Sequence, residues 1–132
     1  MNELRKLYSQ IMLANILVVD DSRVNQHMLK LLLKRNNFDV TIASDGQKGL
    51  AALEENDIDL VISDIQMPRM NGLAMVQAIR EHDVFSDLPV LMLTATGDDK
   101  NVEDAQALGV DGFIVQPFDS HELVATVRSL LI

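Results

Sequence analysis

Five short apolar runs recur along this chain, and a segment with helical spacing follows each one. The runs are "ILVVD" (16–20), "FDVTIA" (38–43), "DLVIS" (59–63), "PVLML" (89–93) and "GFIV" (112–115). Four of the five lack polar alternation, which is how strands buried on both faces of a parallel sheet read. Between them, Val24, Met28, Leu31 and Leu32 fall at i, i+4, i+7 and i+8, as do Leu123, Val127, Leu130 and Leu131. Leu73, Val76 and Ile79 make a shorter stripe of the same kind. Strands joined by helical crossovers must run parallel. The pattern predicts a doubly wound α/β domain, (βα) repeated five times in a three-layer sandwich, over residues 15–132.

Turn chemistry agrees with this division. Asp45-Gly46 and Asn71-Gly72 are turn dipeptides placed before helices. Gly109 fits a helix C-terminal cap, and Asp119 with Glu122 resembles a capping box opening the last helix. Residues 1–14 stand apart. Leu4, Leu7, Tyr8, Ile11 and Met12 form an amphipathic stripe, read either as a docking or dimerising helix or as a linker remnant.

A length of 132 residues with 48% hydrophobic and 23% charged content fits one soluble globular domain. Acids outnumber bases 20 to 11, a net charge of −9 that argues against nucleic-acid binding and suits a protein that gathers divalent cations. With no cysteine there is no thiolate chemistry, and a reducing, cytoplasmic location is expected. No apolar run is long enough to span a membrane.

In an open parallel sheet, ligands bind beyond the carboxyl ends of the strands. Asp20 and Asp21 follow the first strand, Asp64 the third, Thr94 the fourth and Gln116 the fifth. A lone Asp at a strand end is ordinarily a helix N-cap, and Asp21 or Ser22 could cap the first helix. Three carboxylates at one edge repel each other unless a cation sits among them, and hard oxygen ligands suit Mg²⁺. His27, His82 and His121 lack ligand-like spacing and read as solvated surface residues; the seven methionines read as core filler.

"ILVVDDS", "DLVISDIQMPRMNG", "VLMLTA" and "FIVQPF" resemble the receiver domain of two-component response regulators. The resemblance implies a flavodoxin-like, chemotaxis-regulator-like sheet in the order 2-1-3-4-5. It also implies that Asp64 accepts a phosphoryl group from a phosphohistidine on a sensor histidine kinase or histidine phosphotransfer protein. Asp21 and Asp64 would then bind Mg²⁺ directly, Asp20 through water, and the backbone carbonyl of Gln66 would complete the protein ligands. Thr94 would hydrogen-bond the phosphoryl group, Phe113 would change rotamer on switching, and the Gln116–Pro117 bond would be cis. The output would pass to a downstream protein through the face of the fourth helix, fifth strand and fifth helix, from a monomer or weak dimer. Such a chain is a phosphoacceptor that assists its own phosphorylation and dephosphorylation, not an enzyme.

Gln116 departs from the family pattern, which has lysine there. Glutamine donates through its NH₂ but brings no charge. The expectation is slower phosphorylation and weaker coupling to the switch; the alternatives are a pseudo-receiver acting as a phosphorylation-independent binding module, and an engineered change at residue 116. A dehalogenase-like phosphatase would need a second Asp where Gln66 stands. A flavin carrier would want a hydroxyl-rich phosphate loop where "DDSRVNQ" stands, and stacking aromatics in a chain with no tryptophan. The sequence leaves open a stand-alone receiver or one cut from a larger protein; "DDSRVNQ" looks more like receivers attached to hybrid sensor kinases.

Overall fold

A computed structural model describes residues 3–4, 7, 13–67, 70–95 and 97–132 of the chain. The elements alternate as the sequence predicts: β1 (Asn15–Val19), α1 (Arg23–Arg35), β2 (Asp39–Ala43), α2 (Gly46–Glu55), β3 (Leu60–Asp64), α3 (Gly72–Glu81), β4 (Val90–Ala95), α4 (Asp99–Ala107), β5 (Gly112–Gln116) and α5 (Ser120–Leu130). The five strands form one parallel sheet in the order β2-β1-β3-β4-β5. The chain therefore has a flavodoxin-like doubly wound fold, with β1, β3 and β4 in the middle.

Alternate residues of the central strands feed two separate cores, as the pleat requires. Ile16, Val18, Leu60, Ile62, Leu91 and Leu93 pack under α1 and α5, against Leu29, Leu33, Leu123 and Val127. Leu17, Val19, Val61, Val90 and Met92 pack under α2, α3 and α4, against Leu53, Met75, Val76, Ile79 and Ala105. Both faces of the sheet are thus covered, and its polar ends are left to build sites.

The helix starts obey the turn signals. Asp45 and Asn71 cap α2 and α3 by accepting the amides of Lys48 and Ala74, and Ser22 caps α1 by accepting that of Asn25. Asp119 accepts from the amides of His121 and Glu122, the N-cap half of the expected box. Gly109 takes φ +75° just beyond α4, a left-handed conformation that glycine adopts without a Cβ penalty.

Three expectations need correction. Of the apolar stripe assigned to α1 only Leu32 packs against the core: Val24 is 76% exposed, Met28 43% and Leu31 45%, whereas Leu29 and Leu33 are buried. The helix carries two apolar rows, and only docking on the sheet selects between them. Met28 is consequently not core filler, unlike the buried Met75 and Met92. His82 is not simply solvated. Its ring stacks on Phe85 at 4.3 Å, its Nε2 lies 3.0 Å from a Glu54 carboxylate oxygen, and its Nδ1 accepts the Val84 amide.

The proposed amphipathic helix over residues 1–14 lies mostly outside the described residues. No helix among the described residues is long and apolar enough to cross a membrane.

Candidate functional site

Strand register brings the polar residues together. Val19 pairs with Ser63 and Asp64 with Leu93, so the residues following β1, ending β3 and ending β4 meet at one edge. Asp20, Asp21 and Asp64 each bring a carboxylate oxygen into a cluster whose members lie within 4.8 Å of one another. Asp20 is fully buried, Asp64 is half-buried and Asp21 is exposed. Among the described residues no Lys or Arg pairs with any of the three.

The electrostatics follow from that geometry. Burial, and next the Asp20 charge, push the Asp64 carboxyl up to about 6, although the amides of Ile65 and Gln66 donate to it and pull the other way. Burial also raises Asp20, against the opposing hydrogen bonds from Ser22 and Asn25. Carboxylates held this close together, with no Lys or Arg paired to them among the described residues, are a fit donor set for a hard divalent ion.

Asp20 is held by the first turn of α1. Its Oδ1 accepts the Ser22 amide at 2.9 Å and its Oδ2 accepts the Asn25 Nδ2 at 3.2 Å. Gln26 donates its Nε2 to the Asp20 main-chain oxygen at 2.6 Å. Sequence reading missed Asn25 and Gln26. The available signal was their position three and four residues after a Ser that could cap, on the helix that follows the acidic pair.

The remaining candidates line the same edge. Thr94 is buried, and its hydroxyl donates to the Ala95 carbonyl over a long 3.4 Å. Ser63, buried beside Asp64 in sequence, donates to the Asp64 carbonyl at 2.8 Å. Gln66 is exposed, and Phe113 is half-buried against the core under α2, α3 and α4. Gln116 is level with Ala95 on β5, two strands and so roughly 10 Å across the sheet from Asp64. The bond from Gln116 to Pro117 is cis, as expected. Gln116, Asn25, Met28, Ala95, Pro117, Phe118 and Ser120 line a depression of about 460 Å³ beside the acidic cluster. Pro68 and Arg69 of "DIQMPRMNG" fall outside the described residues.

The sequence that builds this sheet, with three acids and a hydroxyl at its carboxyl edge, matches the response regulator receiver domain family over residues 16–128. The chain belongs to that family. It is 39% identical over 116 residues to the transcriptional regulatory protein CpxR of Escherichia coli, covering 88% of this chain and 48% of that protein. It therefore spans about half the length of the curated relatives it matches. Among solved structures it resembles the chemotaxis response regulator CheY4 of Vibrio cholerae, with TM-score 0.82, 32% identity and coverage of 89% of this chain and 98% of the other. It also resembles the signal receiver domain of a signal transduction histidine kinase from Syntrophus aciditrophicus, with TM-score 0.84, 30% identity and 89% of each chain covered. This receiver domain is a component of two-component signal transduction.

Proposed function

We propose that this receiver accepts a phosphoryl group on Asp64 from the phosphohistidine of a sensor histidine kinase or histidine phosphotransfer protein. One observation carries the reading: the half-buried Asp64 carboxylate lies in a cluster with Asp20 and Asp21 that has no cation paired to it among the described residues. An Asp64 oxygen forms the new bond to phosphorus as the bond from phosphorus to the imidazole nitrogen breaks, and the electron pair returns to that nitrogen. A carboxylate is a poor nucleophile, so this transfer depends on positioning and on neutralised charge.

The chain's residues divide that work. The Ile65 and Gln66 amides fix the Asp64 carboxylate. The Thr94 hydroxyl exchanges its long bond to Ala95 for a phosphoryl oxygen, and Phe113 responds behind it. Asp21 and Asp64 would hold Mg²⁺ directly and Asp20 through water, with the Gln66 carbonyl completing the set. Mg²⁺ bound there supplies the positive charge that lets two anions approach. Gln116 offers a hydrogen bond in place of the ammonium that the family pattern provides, which makes transfer slower and the switch less tightly coupled.

The phosphodonor is assigned to the depression beside the acidic cluster. Exposed Val24, Met28 and Leu31 extend from it along α1 as an apolar stripe one helix wide, the form in which a helix bearing a phosphohistidine can dock. The output is assigned to the face of α4, β5 and α5, where the edge strand presents an exposed Val115.

Intact-mass spectrometry after incubation with acetyl phosphate and Mg²⁺ tests the assignment. The expected result is one added phosphoryl group in the parent and none in Asp64→Asn. The uncharged Gln116 favours one second reading, a phosphorylation-independent binding module. Failure to form either the phosphoryl adduct or a beryllofluoride complex would establish that reading instead.

A further inference from the structure

We propose that Asn25 is a positioning residue for the acidic cluster, the side chain that holds Asp20 ready for a divalent ion in a receiver that lacks the usual ammonium. This rests on the phosphoacceptor reading of the site. Asp20 is fully buried with no cation beside it among the described residues, so neutral donors must stabilise its charge. Its Oδ1 is served by a main-chain amide, that of Ser22, which no substitution short of proline removes. Its Oδ2 is served by the Asn25 Nδ2 at 3.2 Å. The donors recorded for Asp64 are likewise main-chain amides, those of Ile65 and Gln66. Asn25 is thus the one side-chain donor to these two carboxylates among the described residues.

An ionised carboxylate offers about four acceptor positions. Two of Asp20's are taken by Ser22 and Asn25, which fix the rotamer and leave the others for a metal-bound water. Without Asn25 the buried Oδ2 is one donor short, and the side chain is free to turn out of the orientation that Ser22 and Asn25 together fix.

Asn25 and Gln116 line the same depression. A lysine at 116 would bring a donor and a charge to the same carboxylates. Asn25 and residue 116 should therefore be coupled, with the asparagine mattering most when 116 carries no charge.

The test is Mg²⁺ titration of the full chain, followed by the amide shifts of Asp20, Asp21 and Ile65, for the parent, Asn25→Ala, Asn25→Asp and each combined with Gln116→Lys. Losing a hydrogen bond to a charged group should weaken Mg²⁺ binding about tenfold in Asn25→Ala. Asn25→Asp separates positioning from helix stability. An acid in the first turn of α1 favours the helix dipole, so a purely structural role predicts no loss of binding, whereas positioning predicts a loss greater than that of Asn25→Ala, unless the added carboxylate itself ligates the ion. Against Gln116→Lys, the effect of Asn25→Ala should shrink to about twofold, the mark of shared function. Binding in Asn25→Ala equal to the parent, or an unchanged effect in the lysine background, overturns the proposal. Absence of Mg²⁺ shifts in the parent itself would instead strike at the reading of the whole site. To keep Asn25→Asp decisive, acetyl phosphate modification is measured alongside: the positioning role requires it to be slower than in Asn25→Ala, and equal or faster modification overturns it.

Discussion

Gly72, the first residue of α3, packs so closely on the main chain of Asp64 that a Cβ built there collides with the Asp64 carbonyl oxygen. The same Cβ would stand 3.0 Å from the Ile65 Cα, and the Gly72 amide donates to the Ile65 carbonyl at 2.8 Å. The loop that follows Asp64 is therefore closed onto α3 by backbone contact, with no side chain between. Neither oxygen nor Cα can yield as the end of a flexible side chain would. Gly72→Ala should cost about 2–4 kcal/mol in urea unfolding, the range for overpacking and backbone strain. It should also shift the Ile65 and Gln66 amides and slow modification of Asp64 by acetyl phosphate.

The Asn71-Gly72 pair was legible as a helix start, yet the reason for the glycine was not. Its conformation is one that other residues adopt, and the requirement comes from a strand adjacent in space. The alternation of apolar runs, by contrast, was sufficient for the element order, because burial of both sheet faces leaves continuous apolar strands. The three acids were legible because each directly follows or ends a strand, and register then placed them at one edge. The buried row of α1 was not. Asn25, Leu29 and Leu33 share one face of the helix at i, i+4 and i+8, and docking on the sheet turns that face inward, which also sets Asn25 against Asp20. Spacing alone finds the competing row of Val24, Met28 and Leu31 equally good.

The raised Asp64 value carries a stability consequence of definite sign. The carboxyl titrates at about 6 when folded against an ordinary 3.8, so the folded state holds its proton more tightly than the unfolded chain does. The resulting stabilisation is fully present below pH 3.8 and is lost as pH rises through 6. Allowing for solvent screening of a half-exposed group, the loss is about 1–2 kcal/mol. Without metal, Asp64→Asn should melt higher than the parent above pH 6.5, and the difference should vanish towards pH 4. Mg²⁺ should narrow the gap at high pH by binding the parent more tightly than the variant, which keeps only Asp20 and Asp21. Scanning calorimetry across pH, with and without Mg²⁺, checks both statements.

Arg80 near the end of α3 ties together two loops, those before β4 and β5, with one guanidinium. Its Nη1 donates to the carbonyls of Ser86 at 3.0 Å and Leu88 at 2.7 Å. Its Nη2 reaches the Gly109 carbonyl at 2.8 Å and the Asp111 carboxylate at 3.1 Å, and its Nε the Leu108 carbonyl at 3.3 Å. Asp111 in turn accepts the Val90 amide at 2.8 Å. Removing the guanidinium leaves several carbonyls short of donors together. Arg80→Met should destabilise the fold by about 2–4 kcal/mol, far more than a surface ion pair is worth. Asp111→Asn should cost much less, because the carbonyl contacts survive. Chemical denaturation of the two variants gives the comparison directly.

On the proposed phosphoacceptor reading Gln116 brings no charge where a lysine would, and Gln116→Lys isolates that effect. Residue 116 lies two strands from Asp64, and a lysine side chain is both charged and one atom longer than glutamine. A unit charge about 4 Å from a phosphoryl oxygen contributes roughly 1–4 kcal/mol between the limits of water and protein surface. Even the lower figure raises the rate of transfer about fivefold where the interaction forms in the transition state. The variant should therefore take phosphate from acetyl phosphate faster than the parent. It should bind Mg²⁺ more weakly, since the new ammonium competes for Asp20 and Asp64. It should also give larger beryllofluoride-induced shifts at Thr94 and Phe113, because the loop after β5 then has a charge to close upon. Rates and shifts equal to those of the parent would place the limiting departure elsewhere in the switch.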